Sequence, residues 1–179
     1  MASSAFDPSG SVRFDVGAGR ATDGRGGRLL VIPAQAIAAL EPRAAATVGT
    51  ELGKAAGARL AARIGGDDAV RAATMELVVT HLAGELAVAG VGAVHLERWG
   101  RALVCVVAGA PSSDAFVGAA VAGAIGAATG RPVVAAALGR EGDTARFFVG
   151  SADTAKRVDA AVASGKKFSE VLASLQVGP

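Results

Sequence analysis

The sequence predicts an α+β domain in which helices cover a small twisted antiparallel sheet. Three observations carry that reading. The first half of the chain spaces its apolar residues as helices do, the second half holds two pairs of strand-like runs joined at glycine turns, and a Gly/Ala-rich helical stretch separates the pairs. At 179 residues the chain suits one core of ordinary size. It is 51% apolar but only 4% aromatic, with 25 glycines, so its helices are expected to pack by close approach of small faces.

Residues 1–27 mix Ser, Gly, Asp and Arg around one strand candidate, Val12–Val16, and read as a flexible N-terminal arm. Within them "VGAGRAT" has two glycines of a dinucleotide turn. The third is missing, and Gly24, Gly26 and Gly27 oppose a following helix, so no phosphate loop is expected. Residues 28–151 read as the domain proper. Pro33 suits the start of a short helix with Ala36, Ile37 and Leu40 on one face, and Pro42 opens a longer helix reaching Ile64. Gly49, Gly53 and Gly57 align on one side of that helix. Interior glycines cost about 1 kcal/mol each relative to alanine, so a close contact must compensate. An internal helix or a second copy of the chain would serve, and the expectation is a homodimer interface at these three residues.

A third helix is expected after Gly65 and Gly66, capped by Asp67 or Asp68, with Val70, Leu77, Val78 and Leu82 facing inward and an end near Gly90. "AVHLERW" and "ALVCVVAG" then form a hairpin at Gly100, the second run apolar throughout as in a central strand. Asp114–Thr129 is the Ala/Gly helix, with Gly118, Ala122 and Gly126 in line, and Gly130 and Pro132 end it. "VVAAALGR" and "TARFFVGS" make a second hairpin around "EGD", where Gly142 can take positive φ. Residues 152–179 read as a C-terminal helical tail broken at Gly165.

A net charge of +2, with its cations scattered, lacks the basic footprint of a nucleic-acid binder. One cysteine, Cys105, leaves no disulfide framework and points to a reducing, cytoplasmic setting. No membrane span is expected, because the most apolar stretch, from Ala115, is short and built of Ala and Gly. His81 precedes Glu85 by one helical turn, a spacing that would either hold a metal or join two exposed polar groups, and the exposed pair is expected. His95 shares a strand face with Glu97, and either pair would ligate a metal only if folding brought in further donors. Cys105 reads as a small buried hydrophobe and Trp99 as a packing anchor. Catalytic groups are sparse and no cofactor or metal is implied, which leaves apolar volume as the functional asset. A pocket between the small-faced helix and the strands would be lined by Phe116, Val104, Cys105, Trp99 and Phe147.

The segment "AFVGAAVAGAIGAATGRPVVAAALGREGDTARFFV", Ala115 to Val149, resembles the closing segment of 4-vinyl reductase-type domains, relatives of the TRAPP vesicle-tethering subunits. Phe116, Ala119 and Gly123 match that family's aromatic-led helix, Gly142 and Asp143 its Gly-Asp turn, and Phe147 its aromatic strand. The helix with Gly49, Gly53 and Gly57 resembles the family's early helices. The resemblance implies helices on a twisted antiparallel sheet, a helix-mediated dimer and an interior that receives an apolar or aromatic molecule. The family's zinc ligands are not matched, since "VVAAAL" has no Glu or Cys and Ala145 stands where the cysteine is expected. The resulting expectation is a non-catalytic homodimeric sensor or adaptor that binds an apolar small molecule, a protein partner, or both. Alternatives are a TRAPP-like scaffold regulating a small GTPase, or an accessory factor in tetrapyrrole or aromatic metabolism.

Overall fold

In the computed structural model the chain is described over residues 5–176 except Arg101, so the extreme ends of the expected arm and tail lie outside the described residues. The architecture is mixed α+β with two antiparallel sheets. A three-stranded meander, β1 (Val12–Asp15), β2 (Arg20–Asp23) and β3 (Arg28–Leu29), comes first. Then follow α1 (Ala34–Ala38), α2 (Pro42–Ile64), α3 (Asp67–Ala72) and α4 (Met75–Val88). The main sheet is built from the hairpin β4 (Ala93–Trp99) and β5 (Ala102–Ala108), helix α5 (Asp114–Thr129), and the hairpin β6 (Val134–Glu141) and β7 (Thr144–Gly150). Helices α6 (Ala152–Ala163) and α7 (Phe168–Gln176) close the chain. Strand order in the main sheet is β4-β5-β7-β6, all antiparallel, so the two apolar strands β5 and β7 are central.

The period of two in these strands sends residues to two different cores. Cys105, paired with Leu96 and Phe147, faces α4 and α5. Its neighbour Val104, paired with Phe148, faces α6 and α7, where Ala155, Val158, Val171 and Leu172 are buried. The helices expected as a tail therefore form a layer of the domain. A register shift between Ala137 and Gly139 bends β6, and Gly142 turns the β6–β7 hairpin at φ 60°. Arg140 fastens that hairpin to the start of α5, donating from Nε and Nη2 to Asp114 Oδ1 at 2.9 and 2.6 Å and from Nη2 to the Pro111 carbonyl at 2.8 Å.

Helix α2 lies against α5, and the two run in the same direction. A Cβ built on Gly49, Gly53 or Gly57 would overlap the carbonyl oxygens of Phe116, Ala120 and Ala124 in turn. In return a Cβ on Gly123 would lie 2.7 Å from the Thr50 carbonyl. The expected dimer interface at Gly49, Gly53 and Gly57 is thus corrected: α5 of the same chain fills that face, and no second copy can reach it. Backbone contact at this distance permits dispersion and Cα–H···O attraction along the whole seam, which offsets the poor helix propensity of the glycines.

Two other expectations change. Residues 12–29, expected as arm and domain entry with one strand candidate, carry a three-stranded meander, with Val12 to Asp15 paired to Asp23 through Arg20 and Ala21 paired to Leu29. The "VGAGRAT" glycines form its first turn. The helix expected from Asp67 to Gly90 is two helices: Asp67 and Asp68 sit in the first turn of α3, Ala73 is extended, and Thr74 caps α4 by accepting from Leu77 N–H at 3.3 Å.

Replacing Gly53 by Ala should destabilise the fold by about 2 kcal/mol in urea denaturation despite the better helix former, because the added methyl meets backbone that cannot rotate away. Gly126→Ala, whose added methyl would meet only the Arg131 carbonyl at 3.3 Å, should cost clearly less.

Candidate functional site

The five residues expected to line one pocket do not converge. Phe116, Cys105 and Phe147 are packed in the core under α4 and α5, Val104 is buried on the opposite sheet face, and Trp99 is half-exposed at the end of β4. Trp99 stacks edge-on against Phe168 of α7, with ring centroids 5.6 Å apart, and donates from Nε1 to Glu97 at 2.8 Å. Phe116, Val104 and Cys105 are packed on all sides, whereas Phe147 also lines an open groove beside α5 together with Gly118. Gly118 lets the Phe147 ring lie against α5, and that aromatic strand closes the core as packing. Burial pushes the Cys105 thiol up to about 12, so its reactive thiolate is suppressed.

The two His/Glu pairs differ from each other. His95 and Glu97 are exposed on β4. His81 and Glu85, expected at a surface, are buried at 4% and 0% exposure. Glu85 accepts from Arg59 Nε at 2.6 Å through one carboxylate oxygen and from Arg63 Nε at 2.5 Å through the other. Arg59 and Arg63 are one turn apart on α2, so their spacing presents both guanidiniums to the same carboxylate. Arg59 also lies 3.8 Å from Asp23 of β2. Arg63 reaches the Asp7 carbonyl at 3.1 Å and Ser11 Oγ at 2.6 Å, and its guanidinium sits 4.8 Å from the Phe6 ring centroid. Phe6 in turn packs edge-on to His81 over the bare backbone of Gly84. Hydrogen bonds from Ser9, side chain first and backbone second, hold the Asp7 carboxyl below its ordinary value. Glu85 is therefore the centre of an ionic cluster that pins the meander to α2 and α4. No group of three or more metal-ligating side chains occurs among the described residues.

What the surface offers is open and largely apolar. One groove of about 580 Å³ runs beside the α2–α5 seam, between Thr50 and Lys54 on one side and Ala122, Gly126 and Arg131 on the other. A second, of about 350 Å³, continues along α5 to the edge strand β6, past Ala115, Ala119 and Val134. The third, about 560 Å³, lies on the meander among Phe14, Val16, Ala21, Leu29 and Val31. There Phe14 is 68% exposed and Val16 90%, and the chain continues through Leu30 at 84% and Val31 at 70%. This is a run of neighbouring exposed apolar side chains, and so a candidate interaction surface. Sequence reasoning missed it because the surrounding glycines and arginines read as a loop; the signal was the uninterrupted "LLVI" before Pro33.

No family model and no curated protein matches the chain. No helix among the described residues is long and apolar enough to cross a membrane.

Two outcomes follow from the buried groups. Glu85→Gln should lower stability by about 3 kcal/mol by removing the buried charge that both guanidiniums share, leaving Arg59 only Asp23, and hydrogen exchange at Val12–Asp23 should accelerate more than in β5. Substituting Glu85, Arg59 and Arg63 together by Leu, Met and Met should recover much of that loss. The Cys105 thiol should resist alkylation in the native protein at pH 8 and react fully only in denaturant, as followed by mass spectrometry.

Proposed function

We propose that this chain is a non-catalytic homodimeric adaptor that works by presenting apolar surface to another polypeptide. The observation that carries the reading is the exposed apolar band of the meander, Phe14 and Val16 with Leu30, Val31 and Ile32. Neighbouring exposed apolar side chains of this kind are characteristic of protein–protein contacts. The buried ionisable groups are engaged in holding that band in place, since Arg59, Arg63 and Glu85 anchor the strands that carry it. The resemblance of Ala115–Val149 to 4-vinyl reductase-type and TRAPP-like domains supports the same class of role, in which a scaffold assembles partners in the cytoplasm. Fold likeness alone would not carry it.

A second reading, a sensor for an apolar or aromatic molecule, is favoured by one observation. The groove along α5 is lined by small apolar residues with Arg131 on one side and Lys54, itself paired to Glu51 at 2.8 Å, on the other, a setting suited to an apolar ligand bearing a negative group. Such a ligand would sit on the surface of α5 and not among Phe116, Cys105 and Phe147.

Sedimentation velocity of the purified full chain, with native mass spectrometry on the same sample, tests both readings. A dimer without a bound small molecule is expected. A monomer across the micromolar range would sink the adaptor reading, and a stoichiometric copurified ligand would shift the assignment to the sensor.

A further inference from the structure

Strand β3 ends its pairing at Leu29, opposite Ala21, yet the apolar run continues through Leu30, Val31 and Ile32 to Pro33, whose φ of −67° and ψ of 146° keep the backbone extended. This is the free edge of the meander, with strand order β1-β2-β3. Natural edge strands are blunted by charge, proline or a bulge. From Leu29 to Ile32 there is none, and Leu30 and Val31 are among the most exposed apolar side chains of the molecule.

The ladder also fixes which backbone groups are available. Asp23 N–H donates to the Gly27 carbonyl at 2.8 Å, which makes Asp23 and Gly27 a hydrogen-bonded pair. Antiparallel pairs alternate, so Gly27 and Leu29 turn their polar groups toward β2 and Arg28 turns its own outward; carried on as an extended strand, the same alternation would turn Leu30 and Ile32 outward as well. An outward row of N–H and C=O groups on a flat apolar segment is a template for one more strand.

Resting on the homodimer reading above, we infer that this edge pairs with the same edge of a second copy, antiparallel about a two-fold axis through Leu30. That register sets Leu30 opposite Leu30 of the second copy, Leu29 opposite Val31 and Arg28 opposite Ile32. The outward polar groups of Arg28, Leu30 and Ile32 all find partners. No like charges meet, because the one cation in the segment faces an isoleucine, and Pro33, which lacks an N–H, falls just beyond the ladder. These features make the edge complementary to itself, which a closed two-fold contact requires. The two meanders become one six-stranded sheet, with Phe14, Ala21, Leu29 and Val31 of both copies on one side.

Charge exchange at the axis tests the register. Leu30→Lys and Leu30→Glu each set like charges face to face across the dimer, and each should weaken self-association at least about tenfold in sedimentation equilibrium, with the melting temperature unchanged when compared at concentrations too low for dimer. Mixed in equal amounts, they should form a heterodimer as tight as the original dimer. Independently of any variant, the amides of Arg28, Leu30 and Ile32 should gain hydrogen-exchange protection as the concentration of the unaltered chain is raised. A dimer unaffected by both substitutions, or without concentration-dependent protection there, overturns this contact and leaves the homodimer reading standing; an unaltered chain that stays monomeric overturns both.

Discussion

The backbone-to-backbone seating of α2 on α5 is the constraint from which the remaining structure follows. Three glycines on α2 admit the carbonyls of Phe116, Ala120 and Ala124, and the reciprocal approach of Gly123 to Thr50 fixes the register. With α5 held on its α2 side, Gly118 is set against the Phe147 ring of the sheet, and Val117 and Val121 are fully buried in the core between them. With α2 held in turn, its C-terminal half brings Arg59 and Arg63 over α4. The ionic cluster and the meander beyond it are downstream of a contact made by side chains that are absent.

That cluster places a fully buried carboxylate beneath two arginines in a chain otherwise poor in buried polarity. A buried ion pair is weak evidence for stability, because desolvation cancels much of the attraction. Its structural value here is directional. Hydrogen bonds to both oxygens of Glu85, to Ser11 Oγ and to the Asp7 carbonyl have fixed geometry, so the meander docks in one orientation. Apolar packing of Phe6 alone would leave that orientation loose.

Much of the main sheet was legible in the sequence, since the hairpins at Gly100 and Gly142 and the helix between them carry strong local signals: alternation, turn glycines and the Ser113 cap. The period of two also implied that Val104 and Cys105 face opposite ways, which argues against placing both in one pocket. The glycine stripe of α2 was visible, but a stripe does not name its partner. The matching spacing of Phe116, Ala120 and Ala124 on α5 was the clue to an internal contact. Glu85 looked like half of a surface pair with His81 because its true partners lie on another helix, and only the two arginines at helical spacing hinted at them. The meander was hidden by composition: short strands of Arg, Thr and Asp between glycines look like a loop until their ladder is seen.

The α2–α5 seam also bears on how the chain is made. On the ribosome α2 emerges well before its partner, with α3, α4 and the β4–β5 hairpin synthesised in between. A helix with three interior glycines has little reason to persist alone. The early part of the nascent polypeptide must therefore wait, with the glycine face of α2 unfilled, until α5 leaves the exit tunnel. That interval, rather than the finished fold, is when α2 has least to hold it as a helix.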